Sequence, residues 1–208
     1  MNDRMTVACL DLEGVLIPEI WINLAEKTGI EELKLTTRDI ADYDELMGKR
    51  LEVLDENGLT LEDFQEVVAT MDPLHGAREF LHWLRGQVEV IILSDTFREF
   101  AMPLIAKLGH PTIFCHSLEV DSKSGVIKNY RLRQMDQKRK AVIALRGLNF
   151  RTLSIGDSYN DLSMLEEADS GVFFKPTRQI TEEHPEIPVT RNYEELKSRL
   201  CEYHGFRA

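Results

Sequence analysis

Three segments of this chain place carboxylates or hydroxyls directly after apolar runs. Thr6-Val-Ala-Cys-Leu10 leads into Asp11-Leu-Glu13, Val88-Glu-Val-Ile-Ile-Leu93 into Ser94-Asp95, and Thr152-Leu-Ser-Ile155 into Gly156-Asp157. The first run is apolar without alternation, which suits a strand buried on both faces. In an open parallel sheet, ligands bind beyond the carboxyl ends of the strands, so three polar strand ends converge on one site. Clustered carboxylates repel one another unless a cation neutralises them. An all-oxygen donor set of this kind suits magnesium, which keeps several waters and a substrate phosphate.

The elements that would hold those ends alternate. After Pro73 the sequence predicts a helix over about 76–85, a strand 88–93 ending at Ser94-Asp95, a helix over about 97–108 and a short strand 112–115. A β-hairpin over 117–132 turns on Asp121-Ser-Lys-Ser-Gly125. A helix over about 137–148, the strand before Gly156, a helix from about Asp161, a strand 171–174 and one or two terminal helices complete the chain. This rhythm indicates a parallel sheet with helices on both faces. Residues 18–72 break it with helix alone. Pro18 and Gly29 bracket one helix, Asp42-x-x-Glu45 starts a second that runs to about Glu56, and Thr60-x-x-Asp63 starts a third. The expected division is a catalytic core of residues 1–17 and 73–208 with a helical cap, 18–72, inserted after the first strand.

The 208 residues, 43% hydrophobic and 29% charged, are enough for one large domain, or one with an insertion, to bury its own core. Lys and Arg total 25 against 36 Asp and Glu, a formal charge of −11, which argues against general nucleic-acid or membrane-surface binding. No run of 18 apolar residues suggests a membrane span, and the first twelve residues, which include Asp3 and Asp11, show no secretory signal core. Cys9, Cys115 and Cys201 are odd in number and far apart, so neither a disulfide framework nor a cysteine-zinc site is expected. The expected setting is the reducing cytoplasm.

Taken together, Asp11-Leu-Glu13-Gly14-Val15, Ser94-Asp95, Lys138 and Gly156-Asp157-Ser-Tyr-Asn160-Asp161 resemble the four motifs of the haloacid dehalogenase superfamily of aspartyl-phosphate enzymes. The helical insertion after the first motif resembles that superfamily's C1-cap branch. The resemblance spans Asp11 to about Lys175 and implies a Rossmann-like α/β core with an inserted cap. Within the superfamily the chain is similar to the phosphoserine phosphatases, and most to the branch that combines phosphoserine phosphatase with homoserine phosphotransferase. Cys9–Leu16, Pro18–Ile22, Ala25–Gly29, Thr36–Asp39 and Gly156–Asp161 carry that likeness. Most phosphatases of the superfamily have a second Asp where this chain has Glu13; the homoserine-transferase relatives have Glu.

The resemblance implies a role for each residue. Asp11 would attack phosphorus and form an aspartyl phosphate, splitting one difficult displacement into two. Glu13 would protonate the departing seryl oxygen and then activate the second acceptor as a base. Asp11, Asp157 and the backbone carbonyl of Glu13 would hold Mg2+. Ser94 and Lys138, with Asp95 in the same motif and Asn160 at the following helix, would bind the phosphoryl group or substrate. Asp161 would support these from behind. In the cap, Glu19 would face the substrate ammonium, and Arg50 would clamp its carboxylate with a planar two-pronged donor. The implied partners are O-phosphoserine and homoserine, with no nucleic acid and no membrane. The principal acceptor, water or homoserine, stays open, as does the oligomeric state, a homodimer being one option.

Each residue also has a plainer reading. Asp11 and Ser94 are ordinary helix caps when taken alone, and Gly156-Asp157 is a common turn dipeptide. Lys140 competes with Lys138 for the phosphate-binding role on the same helix start. The basic stretch Lys128, Arg131, Arg133, Lys138, Arg139 and Lys140 has no stacking aromatic beyond Tyr130 and reads as a solvated face beside a phosphate site, not an RNA surface. His75, His82, His110, His116, His184 and His204 lack ligand spacing and read as structural or surface residues. Trp21 and Trp83 read as packing. Two rival functions remain: a phosphatase for another small phosphate ester, and a signalling receiver domain. The receiver places its phosphorylated Asp on a later strand and lacks the helical insertion.

Overall fold

The structure, a computed structural model, describes residues 4–36, 39–40 and 42–207; Thr37 and Arg38, within one of the stretches that carry the family likeness, lie outside them. Strand β1 (Thr6–Leu10) is followed by α1 (Ile20–Thr28), a single 3-10 turn (Glu31–Lys34), α2 (Tyr43–Glu56) and α3 (Leu61–Thr70). The chain then continues through α4 (Ala77–Arg85), β2 (Glu89–Phe97), α5 (Arg98–Lys107), β3 (Thr112–Val120) and β4 (Ile127–Arg131). It closes with α6 (Gln137–Gly147), β5 (Arg151–Gly156), α7 (Tyr159–Glu167), β6 (Ser170–Phe174), α8 (Arg178–Glu183), β7 (Val189–Thr190) and α9 (Tyr193–His204).

Among the described residues the strands form one seven-stranded sheet in the order β4-β3-β2-β1-β5-β6-β7. Every neighbouring pair is parallel except β3 and β4. The expected α/β fold with a mostly parallel sheet is therefore the one observed. The chain leaves β1 in one direction toward β2 and β3, and resumes on its other side with β5 and β6. That reversal is the switch point at which parallel sheets open a crevice for ligands. The three polar strand ends belong to β2, β1 and β5, which are adjacent.

Alternation along β1 feeds two cores. Ala8 and Leu10 pack with Phe80 of α4, Leu104 of α5 and Leu200 of α9 on one face. Cys9 packs with Val142 of α6, Met164 of α7 and Ile180 of α8 on the other. A two-residue period in the strand is thus met by helices above and below.

The helices between β1 and β2 start and stop where the sequence signals. Asp42 caps α2 by accepting from the Glu45 N–H at 2.9 Å. Thr60 and Asp63 form a reciprocal capping box at α3, and Gly29 ends α1 with φ 74°. This block docks on the rest through aromatic rings. Phe64 of α3 stacks on Phe100 of α5 at 3.4 Å, and Trp21 of α1 meets both edge-on, at 5.2 and 5.6 Å. Such pairs contribute about 0.5–1.5 kcal/mol each beyond simple burial.

Two expectations need correction, and one strand was not foreseen. Strand β2 does not end at Leu93. It continues through Ser94 and Asp95 to Phe97, with its register against β3 shifting between Leu93 and Phe97, so the polar pair sits in a bulge rather than beyond the strand. The strand expected at 112–115 and the first arm of the hairpin are one strand, β3, which pairs with β2 along its first half and with β4 along its second. The two-residue β7 was not foreseen, being too short for any periodicity to show. No described helix is long and apolar enough to cross a membrane.

Candidate active site

The site is built outward from Lys138. This residue lies in the first turn of α6 and is 3% exposed. Its ammonium is 2.9 Å from Asp11 Oδ1, 2.7 Å from Asp161 Oδ1 and 3.5 Å from Asp95 Oδ2. Burial alone would lower the Lys138 pKa, but Asp11, Asp161 and Asp95 outweigh it and hold it well above the ordinary value. Lys140 is exposed, so only Lys138 of the two candidate lysines belongs to this cluster.

Asp11 follows β1, and its N–H donates to the Ile155 carbonyl of β5 at 2.9 Å, which locks the two strand ends together. Its side chain is 6% exposed. Burial, then the neighbouring Asp161 and Asp157, push its pKa well above the usual carboxylate range despite Lys138. Asp157 is likewise raised, to about 7, by burial, Asp161 and Glu19. Oxygens of Asp11, Asp157 and Asp161 lie within 4.8 Å of one another. One ammonium does not balance this charge, so the donor set fits a hard divalent cation.

Two glycines make the cluster possible. Gly14 has φ 77°, and a Cβ there would meet the Asp157 carboxylate at 2.4 Å. A Cβ on Gly156 would meet Asp161 at 2.3 Å. Asp161 itself is fully buried and accepts from the N–H groups of Asp157 and Ser158 at 2.9 and 3.2 Å. It therefore fixes the loop that presents Asp157, in a capping box with Ser158 that starts α7 two residues earlier than expected.

Asp11, Glu13, Glu19, Arg50, Ser94, Asp95, Lys138, Asp157 and Asn160 all line one pocket of about 330 Å³. Every sequence-selected site residue is thus at this pocket or, as with Asp161, directly behind it. Glu13 Oε2 accepts from the Ile20 N–H at 2.9 Å. Burial, then Glu19 beside it, push its pKa up to about 8. Arg50, on α2, is 8% exposed. Its guanidinium lies 4.3 Å over the Trp21 ring and donates to the Leu35 carbonyl at 2.8 Å. Its Nε is buried with no hydrogen-bond partner among the described residues, and burial lowers its pKa to about 10.

Sequence reading missed four side chains here. Tyr43 forms pocket wall, and its hydroxyl is 3.5 Å from the Asp95 carbonyl. Thr96 donates its N–H to Ser94 Oγ at 3.2 Å; the two-residue period of a strand continuing past Leu93 would have placed it beside Ser94. Gln137 and His116 flank Asp95 from α6 and β3, a juxtaposition that only tertiary structure creates. Asp95, expected to bind substrate, has its carboxylate surrounded by Gln137, His116 and Lys138.

Residues 25–166 match the haloacid dehalogenase-like hydrolases, and the chain belongs to that family. Phosphoserine phosphatase ThrH of Pseudomonas aeruginosa is 56% identical over 193 residues, covering 93% of this chain and 94% of that protein. Phosphoserine phosphatase of Pseudomonas syringae pv. tomato is 54% identical over 194 residues, covering 93% and 81%. In fold, the chain is similar to the crystal structure of an apo phosphoserine phosphatase, with a TM-score of 0.75 at 20% identity, covering 96% and 99% of the two chains.

Proposed function

We propose that the chain is a magnesium-dependent phosphoserine phosphatase working through an aspartyl phosphate on Asp11, with homoserine as a second acceptor beside water. Arg50 is the observation that carries the substrate choice. Among the described residues, this buried guanidinium facing a pocket has no partner for its Nε and no carboxylate within ion-pair distance, which is costly unless a ligand anion completes it. A phosphomonoester that also bears a carboxylate could use Arg50 for the carboxylate and Asp11 with Lys138 for the phosphate, since all three line the same pocket. The names of the two close relatives support the same substrate.

In this reading Asp11 attacks phosphorus while Ser94 and Lys138 hold the non-bridging oxygens. Glu13, whose proton is retained by burial and by Glu19, protonates the departing seryl oxygen. It then takes the proton of the acceptor that attacks the aspartyl phosphate. Glu19 faces the substrate ammonium, and Asn160 lies at the pocket mouth. Asp11, Asp157 and the Glu13 carbonyl would hold Mg2+, with Asp161 close behind; when bound, the cation offsets charge on the carboxylates and the phosphoryl oxygens. Residues 18–72 act as a cap that brings Glu19 and Arg50 over a core of residues 1–17 and 73–208. Homoserine transfer is supported by Glu13, which is one methylene longer than the Asp usual in the superfamily. A net charge of −11 suits a small dissolved substrate of the cytoplasm better than a polyanion.

The test is a steady-state assay on O-phosphoserine with Mg2+, with and without homoserine, following both phosphate and O-phosphohomoserine. The reading requires Mg2+-dependent phosphate release, and O-phosphohomoserine when homoserine is present. Efficient turnover of other esters with none of phosphoserine would remove the substrate assignment.

A further inference from the structure

His116 lies in β3, is 5% exposed, and has no part in the chemistry above. Its Nδ1 accepts from the backbone N–H of Arg133 at 3.1 Å. In a neutral ring that leaves the proton on Nε2, which faces Asp95 Oδ1 at 3.6 Å. Gln137 Nε2 donates to the same oxygen at 3.1 Å and to the Ser94 carbonyl at 2.5 Å. Gln137 Oε1 in turn accepts from the Arg133 guanidinium at 3.1 and 2.7 Å. Arg133 therefore anchors both groups that face this Asp95 oxygen, His116 through its backbone and Gln137 through its side chain. The other Asp95 oxygen faces Lys138, which touches Asp11.

The bulge makes this bracing necessary. His116 pairs with Phe97, and the strand register slips across residues 94–96. Ser94 and Asp95 thus lack the regular ladder that would otherwise fix them. A phosphate-binding serine and its lysine need side-chain support at that point.

We propose that His116 is a positioning residue for phosphoryl transfer, its Nε2–H facing Asp95 at 3.6 Å and steadying that carboxylate electrostatically and, through it, Ser94 and Lys138. The proposal rests on the functional reading above only in that Ser94 and Lys138 grip the phosphoryl group. It does not depend on which ester is the substrate, and Arg50, which recognises the carboxylate, is not part of this set.

The test is a set of holoenzyme variants assayed with Mg2+ on O-phosphoserine and on an aryl phosphate. His116→Phe keeps a ring and loses both polar atoms. His116→Asn keeps an acceptor for Arg133 and falls short of Asp95. His116→Gln places an N–H near the Nε2 position. The proposal predicts that Phe and Asn each lower kcat by about 10–100-fold on both esters with KM changed less than threefold, and that Gln recovers most of the loss. In a double-mutant cycle, His116→Asn and Asp95→Asn together should cost little more than either alone. Wild-type kcat in a folded Asn variant, or additive losses in the cycle, overturns it; the Asn variant decides the matter if the Phe variant fails to fold. Imidazole 15N spectra supply a readout independent of turnover: a protonated Nε2 with bare Nδ1 is expected, and the opposite tautomer overturns the proposal. Failure on phosphoserine alone, with these results intact on the aryl ester, would fall on the substrate assignment and leave His116 its role.

Discussion

Lys138 Nζ lies 2.9 Å from Asp11 Oδ1, with both residues at least 96% buried. The pair joins the start of α6 to the end of β1, and Asp161 Oδ1 lies 2.7 Å from the same ammonium. Removing the lysine would leave two buried carboxylates facing each other. Lys138→Met should abolish turnover and destabilise the metal-free protein by about 3–5 kcal/mol in urea denaturation. Lys140→Met, at an exposed site on the same helix, should change stability by about 0.5 kcal/mol or less and leave turnover intact. A silent Lys138→Met would remove the lysine from the phosphate site.

Arg50→Ala should weaken binding of phosphoserine far more than binding of a phosphate ester without a carboxylate. Losing one charge-assisted pair costs about 1.5–3 kcal/mol, a selective loss of about 10–150-fold in competitive binding measurements. Equal losses for both ligands would make Arg50 a packing residue on Trp21.

The site's acid–base character gives the metal-free protein a pH dependence of definite sign. Glu13 and Asp157 are raised from 4.5 and 3.8 to about 8 and about 7. Between those limits the folded state binds more protons than the unfolded state, so these groups make stability fall as pH rises from about 4 to 8. His204, whose pKa is lowered by burial and then by Arg151, contributes the opposite sign below 6.5. Urea midpoints in chelator should therefore drop between pH 5 and pH 8 by less in Glu13→Gln and Asp157→Asn than in wild type. Mg2+ should stabilise more at pH 8 than at pH 5. A variant slope equal to that of wild type would contradict the assignment.

Gly156→Ala tests the loop behind the cluster. The new Cβ would meet Asp161, so overpacking should cost about 1–3 kcal/mol, and displacement of Asp161 should also reduce Mg2+ affinity by isothermal titration. Gly147→Ala, in open space on α6, is the control. Unchanged metal affinity in Gly156→Ala would mean that Asp161 does not set the position of Asp157.

Much of the fold was legible because buried parallel strands announce themselves as apolar runs and helices by their caps. Asp42, Thr60 and Gly29 mark real helix ends for that reason. Legibility failed where a tertiary partner rescues a locally unfavourable stretch. Ser94 and Asp95 look like the end of a strand, yet β3 carries the strand on to Phe97. Val189 and Thr190 form a strand only because β6 offers an edge. At the site, the carboxylates at strand ends were visible, while the choice of Lys138 over Lys140 needed the helix orientation. Gln137 and His116 were invisible because their roles depend on a bulge, and Thr96 would have shown only had the strand been read past Leu93. Arg50 and Glu19 came from family likeness alone, since nothing in their local sequence points toward the sheet.

The central claim is covalent: phosphoserine phosphorylates Asp11. Protein mixed with O-phosphoserine and Mg2+ should be quenched in acid within one turnover, reduced with borohydride and digested for mass spectrometry. An acyl phosphate at Asp11 is reduced to a residue bearing a hydroxyl in place of the carboxylate. The account predicts that change in the peptide containing Asp11, absent without substrate and absent in Asp11→Asn. Phosphate release at the wild-type rate with Asp11 unmodified, or with the modification on another residue, would contradict it.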